Sequence, residues 1–301
     1  MASLTEIEGH EKQWATLSEL LNQDRLSHAL AFVGPSGIGK RRVALALAKL
    51  GQCPSESILL IAPSGTMLKL EQAREILNFL SLRSLSRRRF IIVDEAQQMN
   101  ASFANALLKI LEEPPAHTHF IFLLPAVSQL LPTIRSRLQT VRFFPLSDEI
   151  LVRHSKREDW MIKAAQGSFA KLEEWSAPEV TELKARAIAA LVDLSQRRRD
   201  GLDAMAADIK ERVSAELLAR LFQQFFRDAL LLEQKENVIH ADCMEALQEW
   251  ARQSKNQLLQ IWHESFQLQQ DIAANLDRLL LFENFYYRSR RILENANGFV
   301  D

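Results

Sequence analysis

Between residues 11 and 145 the chain alternates two apolar patterns. Trp14, Leu17 and Leu20-Leu21 recur at helical spacing, which predicts an amphipathic helix over 11–22. Ala29 to Val33 is apolar throughout, which predicts a strand. The same reading predicts a helix over 41–50 with Gly51 as a left-handed stop, a strand over 57–61 and a helix over 68–82. A strand over 90–93 follows. Asn100 is placed to cap a helix over 100–112 that Pro114-Pro115 ends. A strand over 119–124, a short helix over 130–137 around Pro132 and a strand over 140–144 complete the series.

Most of these strands are apolar on both faces rather than alternating, the mark of a parallel sheet covered on both sides by helices. The fold class is α/β over residues 1–146. Beyond Ser147 no strand pattern is clear. Small helices are expected over 147–178 around a Gly167-Ser168 break, and a helical region over 179–301. There, Leu217, Leu218, Leu221, Phe222, Phe225 and Phe226 form a wide apolar stripe. Leu258, Ile261, Trp262 and Phe266 form a second, and Leu279, Phe282, Phe285 and Tyr286 a third. The stripes read as core or subunit interface rather than as a base-stacking platform, and they exceed what a small helical unit needs for itself.

Composition narrows the function classes. The 301 residues are long enough for two or three domains, and a net charge of −1 with 25% charged residues gives no global field toward nucleic acid or anionic lipid. Two cysteines, Cys53 and Cys243, make neither a disulfide framework nor a four-cysteine zinc site. No apolar run reaches membrane-spanning length, and residues 1–14 are polar and acidic, unlike a signal peptide. A cytoplasmic protein is expected. Arg87-Arg88-Arg89 and Arg197-Arg198-Arg199 read as solvated loop or helix ends in preference to DNA contacts. His117 and His119 read as strand-edge residues.

The chemistry lies where the strands end. Gly34, Gly37, Gly39 and Lys40, between the first strand and the next helix, have the spacing of a phosphate-binding loop. Glycines let backbone N–H groups wrap a phosphate, the helix N-terminus adds its dipole, and the lysine reaches the outer phosphates. Asp94-Glu95, after the third strand, is similar to a Walker B pair: the aspartate would hold Mg²⁺ through water and the glutamate would activate the attacking water. One position departs from this chemistry. The residue after the lysine should carry a hydroxyl for Mg²⁺, and it is Arg41.

Residues 105–115, Asn-Ala-Leu-Leu-Lys-Ile-Leu-Glu-Glu-Pro-Pro, resemble the helix after Walker B in the bacterial clamp loaders of the AAA+ class. Ser136-Arg137-Leu138 resembles their Ser-Arg-Cys motif with leucine for cysteine, and residues 25–40 and 93–96 also match. The resemblance covers about residues 10–145. It implies an AAA+ domain (1–146), a small helical lid (147–178) and a helical collar (179–301) that assembles with gamma/tau and delta subunits. The sliding clamp and primer-template DNA would be reached through the assembled complex of DNA polymerase III. It also implies that Arg137 acts in trans, as an arginine finger on a neighbour's nucleotide.

The departures from that family are specific. Arg41 replaces the metal-binding hydroxyl, and Leu124-Pro125-Ala126 offers no polar sensor. Phe169-Ala170-Lys171-Leu172 lacks the arginine of the active relatives, and of the zinc cysteines of many relatives only Cys53 is present. The expectation is a clamp-loader subunit that hydrolyses no ATP and requires no cofactor, any ATP and Mg²⁺ sitting at the neighbour's site. The rivals are an active gamma/tau-type ATPase, favoured by Gly34, Lys40, Asp94 and Glu95, and a non-replicative AAA+ repair ATPase.

Overall fold

Ala29–Val33 (β1) is a five-residue apolar run, and it lies inside a five-stranded parallel sheet of order β2-β3-β4-β1-β5. The other strands are Ile58–Ile61 (β2), Arg89–Val93 (β3), Thr118–Leu124 (β4) and Gln139–Arg142 (β5). The structure, a computed structural model, describes residues 7–82, 86–198, 200–232, 238–274 and 276–294. Ala29 stands opposite Phe120 and Val33 opposite Leu124, while Leu30 stands opposite Gln139.

Strand alternation sorts the apolar side chains into two layers. Leu30, Phe32, Phe90, Ile92, Ile121 and Leu123 face helices α1 (Glu11–Asn22) and α2 (Lys40–Leu50), which supply Trp14, Leu17, Leu21, Val43 and Leu47. Ala29, Ala31, Ile91, Val93, Phe120 and Phe122 face α3 (Leu70–Ser81) and α4 (Ala101–Glu112), which supply Ile76, Leu80, Phe103 and Leu107. With both faces covered, truncating a central ring such as Phe122 costs about 3–5 kcal/mol.

Helix ends follow local chemistry. The Asn100 side-chain oxygen accepts the Phe103 N–H at 2.8 Å, the expected cap. Gly51 is not the left-handed stop that its sequence position suggests: its φ is −70°, and Gln52 takes φ +55°. The Cys53 N–H reaches the Ala48 carbonyl at 3.2 Å and the Gln52 N–H the Lys49 carbonyl at 2.9 Å, a Schellman closure with glutamine in the left-handed place. The helix expected over 130–137 is the single turn Pro132–Arg135 (α5).

Among the described residues, helices follow without further strands: α6 (Asp148–His154), α7 (Asp159–Ala165), α8 (Phe169–Trp175), α9 (Pro178–Ser195), α10 (Asp200–Ala204) and α11 (Ala206–Lys210). Then come α12 (Arg212–Leu230), α13 (Met244–Ala251), α14 (Lys255–Ala273) and α15 (Arg278–Glu294). The described residues up to 156, with 165–171, form one compact unit; residues 157–164, with the described residues from 172, form a second.

In the second unit the apolar stripes are mostly internal. Leu217, Leu218, Leu221, Phe222, Phe225 and Phe226 are all buried, as are Leu258, Ile261, Phe282, Phe285 and Tyr286. Phe222 meets Phe282 edge-on at 5.9 Å and Phe285 at a tilt at 5.5 Å, and Phe226 meets Trp250 edge-on at 4.9 Å. The surplus left on the surface is smaller than the sequence suggests: Val213, Leu259, Phe266, Leu276, Leu280 and Tyr287. Among the described residues no helix is long and apolar enough to cross a membrane.

The arginine runs are engaged within the fold. Arg87 and Arg88 both pair with Asp24, and Arg89 donates to the Leu80 carbonyl at 3.1 Å. Arg198 pairs with Asp193 at 3.4 Å and Arg197 donates to the Leu293 carbonyl at 3.3 Å, while Arg199 lies outside the described residues.

Candidate functional site

A parallel sheet delivers the carboxyl ends of its strands to one edge, and ligands of such sheets bind there. β1 ends in Gly34–Lys40, β3 in Asp94-Glu95 and β4 in Leu124-Pro125-Ala126. The Gly34 N–H continues the ladder to the Leu124 carbonyl at 3.1 Å. Gly39, at φ +101°, starts α2.

The loop is closed upon itself. Lys40 is 7% exposed, and its Nζ donates to the carbonyls of Gly34 and Pro35, both at 2.6 Å. Burial lowers the lysine pKa to about 8, against the opposing pull of the Asp94 carboxylate. The ammonium that a phosphate loop aims at phosphate oxygens is here held by peptide oxygens.

The outer face of the loop is covered. Gly37 has φ +76°, and a Cβ there would lie 2.3 Å from Ser168 Oγ and 2.6 Å from Ala170 Cβ, so glycine is demanded twice over. Ser168 Oγ donates to the Ser36 carbonyl at 3.0 Å, and the Phe169 N–H to the Gly37 carbonyl at 3.0 Å. Residues 168–170, where active relatives are expected to place an arginine, thus clasp the loop with a hydroxyl, an N–H and a methyl group.

On the metal side, Arg41 Nη1 lies 3.8 Å from Asp94 Oδ2. Asp94 Oδ1 accepts the Glu95 N–H at 3.0 Å, and Glu95 is held at φ +47°. Half-exposed as it is, the guanidinium is a cation placed by the chain beside the carboxylate that would otherwise serve Mg²⁺. Ala126 supplies no hydrogen-bonding side chain at the end of β4.

A small cleft lies behind the loop, between Ile7, His10, Ile38, Leu146, Ile150 and Phe169. Its free volume is about 50 Å³, which at roughly 10–15 Å³ each holds a few waters. His10 is buried there, its Nε2 2.7 Å from the Ile38 carbonyl and its ring edge-on to Phe143 at 5.0 Å. A carbonyl only accepts, so Nε2 carries the proton. Nothing in the sequence around His10 signals this brace.

The lysine is engaged, the hydroxyl is replaced by a guanidinium, the loop is covered and the cleft is small. Among the described residues, no group of three or more His, Cys, Asp or Glu could hold a metal ion.

Arg137 lies away from the loop. It is about a third exposed, just beyond α5, and it pairs with Glu112 at the end of α4. Arg135 is exposed on α5 itself. The structure therefore gathers Gly34, Gly37, Gly39, Lys40, Arg41, Asp94 and Glu95 at one strand edge and keeps Arg137 separate. The His10 contact with Ile38 and the Glu112 contact with Arg137 are not legible in the chain, because the partners lie 28 and 25 residues away.

Known proteins resemble this chain over much of its length. Residues 52–147 match the family model described as DNA polymerase III, delta subunit. Over 271 residues the chain is 29% identical to the DNA polymerase III subunit delta' of Bacillus subtilis, covering 79% of this chain and 82% of that one. Over 159 residues it is 37% identical to the gamma/tau subunit of Mycobacterium tuberculosis, covering 45% of this chain but only 28% of that protein. A gamma subunit-related protein of Thermotoga maritima shares the fold, with a TM-score of 0.55 at 20% identity over 93% of this chain and 99% of that one. On these matches the chain belongs to the AAA+ clamp-loader family, among its delta-prime subunits.

Proposed function

We propose that this chain is a non-hydrolysing adaptor of the DNA polymerase III clamp loader in the cytoplasm. It joins gamma/tau and delta subunits, helps them open the sliding clamp and place it on primer-template DNA, and lends Arg137 to a neighbouring nucleotide site. The observation that carries the reading is the pairing of Lys40 with the Gly34 and Pro35 carbonyls beneath the Ser168 clasp. Metal and lysine supply much of the charge stabilisation in phosphoryl transfer, and here Arg41 stands beside Asp94 while Lys40 is held by loop carbonyls.

Arg137 suits the role in trans because a guanidinium stays charged and offers a planar fork of donors to γ-phosphate oxygens. The outward apolar residues of α14 and α15 support assembly through the collar. Cofactors follow from the same logic: ATP and Mg²⁺ belong to the neighbour's site and not to this one.

The test is ATP turnover, measured on the chain alone and on the reconstituted loader carrying Arg137→Ala. The chain alone should be inactive. The variant loader should assemble and lose part of its DNA- and clamp-stimulated turnover, since an arginine finger contributes on the order of 10³–10⁵ at the site it serves. Turnover by the isolated chain that Lys40→Ala abolishes would instead establish the gamma/tau-type reading that Gly34, Lys40, Asp94 and Glu95 favour.

A further inference from the structure

Arg137 is not a loose surface side chain. Its Nη1 donates to the Thr133 carbonyl at 2.6 Å and to the Ser136 hydroxyl at 3.1 Å, and its Nη2 bonds Glu112 Oε1. The Ser136 hydroxyl donates in turn to the Thr133 carbonyl at 3.1 Å. Glu112 is the last residue of α4 and Thr133 lies in α5, so two elements grip one guanidinium. Nε–H takes no acceptor among the described residues, which leaves donors on the guanidinium for an outside anion. Arg135, two residues earlier, has no such anchors among the described residues.

We propose that Glu112 is a positioning residue for Arg137. Its carboxylate fixes the guanidinium plane against the Thr133 carbonyl, so the free donors are presented in one orientation before a neighbour's phosphate arrives. An arginine held this way gives up its rotamer freedom when the chain folds and not when the interface forms. It also keeps the charge and fork that recognise phosphate. The geometry accounts for the serine of the Ser136-Arg137 pair, whose hydroxyl bridges backbone and guanidinium. It also explains why Arg137 and not Arg135 is the prepared residue. The role rests on the arginine-finger reading given above.

The experiment uses the full loader reconstituted with this chain as wild type, Glu112→Ala, Glu112→Gln, Arg137→Ala or the double variant Glu112→Ala/Arg137→Ala. Assembly is followed by size exclusion, and kcat and KM for ATP are measured with clamp and primed DNA. Arg137→Ala should lower kcat. Glu112→Ala should lower kcat with KM unchanged, by about 1.5- to 5-fold, the range that an exposed ion pair covers. Glu112→Gln, which keeps an acceptor oxygen without the charge, should fall between. In the Arg137→Ala background Glu112→Ala should have no further effect, because the two act through one group. If Arg137→Ala lowers turnover while Glu112→Ala leaves it unchanged, or lowers it equally in both backgrounds, the positioning role is overturned and the finger stands. If Arg137→Ala itself changes nothing in an assembled loader, finger and positioning role fall together.

Discussion

The Arg41 guanidinium lies 3.8 Å from the Asp94 carboxylate, so the chain carries its own cation beside the residue that would serve Mg²⁺ in a hydrolysing relative. A half-exposed pair of this kind is worth little as stability, about 0–1 kcal/mol. Its consequence is chemical: a divalent ion approaching Asp94 meets a positive charge and finds no hydroxyl.

The isolated chain should therefore bind a fluorescent ATP analogue weakly and turn ATP over negligibly. Arg41→Thr alone should not restore activity, since Lys40 stays bonded to the Gly34 and Pro35 carbonyls and Ala126 and Ala170 supply no sensor. Recovery of turnover by that one substitution would show that the clasp is not an obstacle.

Gly37 fastens the clasp. Gly37→Ala forces a side chain into φ +76° and brings a Cβ within 2.3 Å of Ser168 Oγ. The expected loss is about 1–3 kcal/mol, read as a lowered melting temperature. Ser168→Ala, which removes a single hydrogen bond to the Ser36 carbonyl, should cost about 0.5–1.5 kcal/mol. A Gly37→Ala protein as stable as wild type would mean that residues 168–170 do not lie on the loop in solution.

His240 sets an acid limit on the helical unit. It is fully buried, and neither ring nitrogen has a partner among the described residues. Burial, helped by the Lys184 charge, lowers its pKa from 6.5 to about 3. Between those values the unfolded chain takes up a proton that the folded chain refuses, so stability falls as pH drops through 6.5 toward 3. Asp228, whose carboxyl accepts the His240 N–H at 2.8 Å, has its pKa raised by burial and works in the opposite sense. The comparison is therefore wild type against His240→Phe in melting curves across that range. The variant should lose less stability on acidification, and parallel curves would show that the histidine is solvated.

Much of the sheet unit was legible in the sequence because a few neighbouring residues decide each feature. Trp14, Leu17 and Leu21 fix the buried face of α1, Asn100 fixes the start of α4, and an apolar run such as β4 has no other home than a buried strand. Gly51 misled because a Schellman closure places its left-handed residue one position later, and Gln52 tolerates it. The stripe from Leu217 to Phe226 misled differently. A helical pattern tells which face is apolar but not how many neighbours cover it, and here Phe282, Phe285 and Trp250 do so. At the site the glycines, Lys40 and Asp94 could be read from spacing. The Lys40 turn inward, the Ser168 clasp and the Glu112 grip on Arg137 depend on residues brought together by the fold, which spacing does not encode.

What remains exposed on the last two helices leads to the final prediction. Leu280 and Tyr287 on α15 are 64% and 67% exposed, and Leu259 and Phe266 on α14 are exposed as well. Each pair is separated by two helical turns and so lies on one face of its helix. Their inner neighbours Phe282, Phe285 and Tyr286 already fill the unit's own core, so the outer residues add nothing to its folding. Burying such a side chain against another subunit contributes about 1.5–3 kcal/mol each, and two of them can decide whether a complex survives dilution. In the proposed loader the partner is a neighbouring subunit's collar. Leu280→Asp with Tyr287→Asp should leave the monomer's unfolding free energy within about 1 kcal/mol of wild type. The same variant should fail to co-elute with gamma/tau and delta subunits on size exclusion. Charges on an unused surface would do neither harm nor good, so full co-elution of the double variant would move the assembly surface elsewhere on the chain.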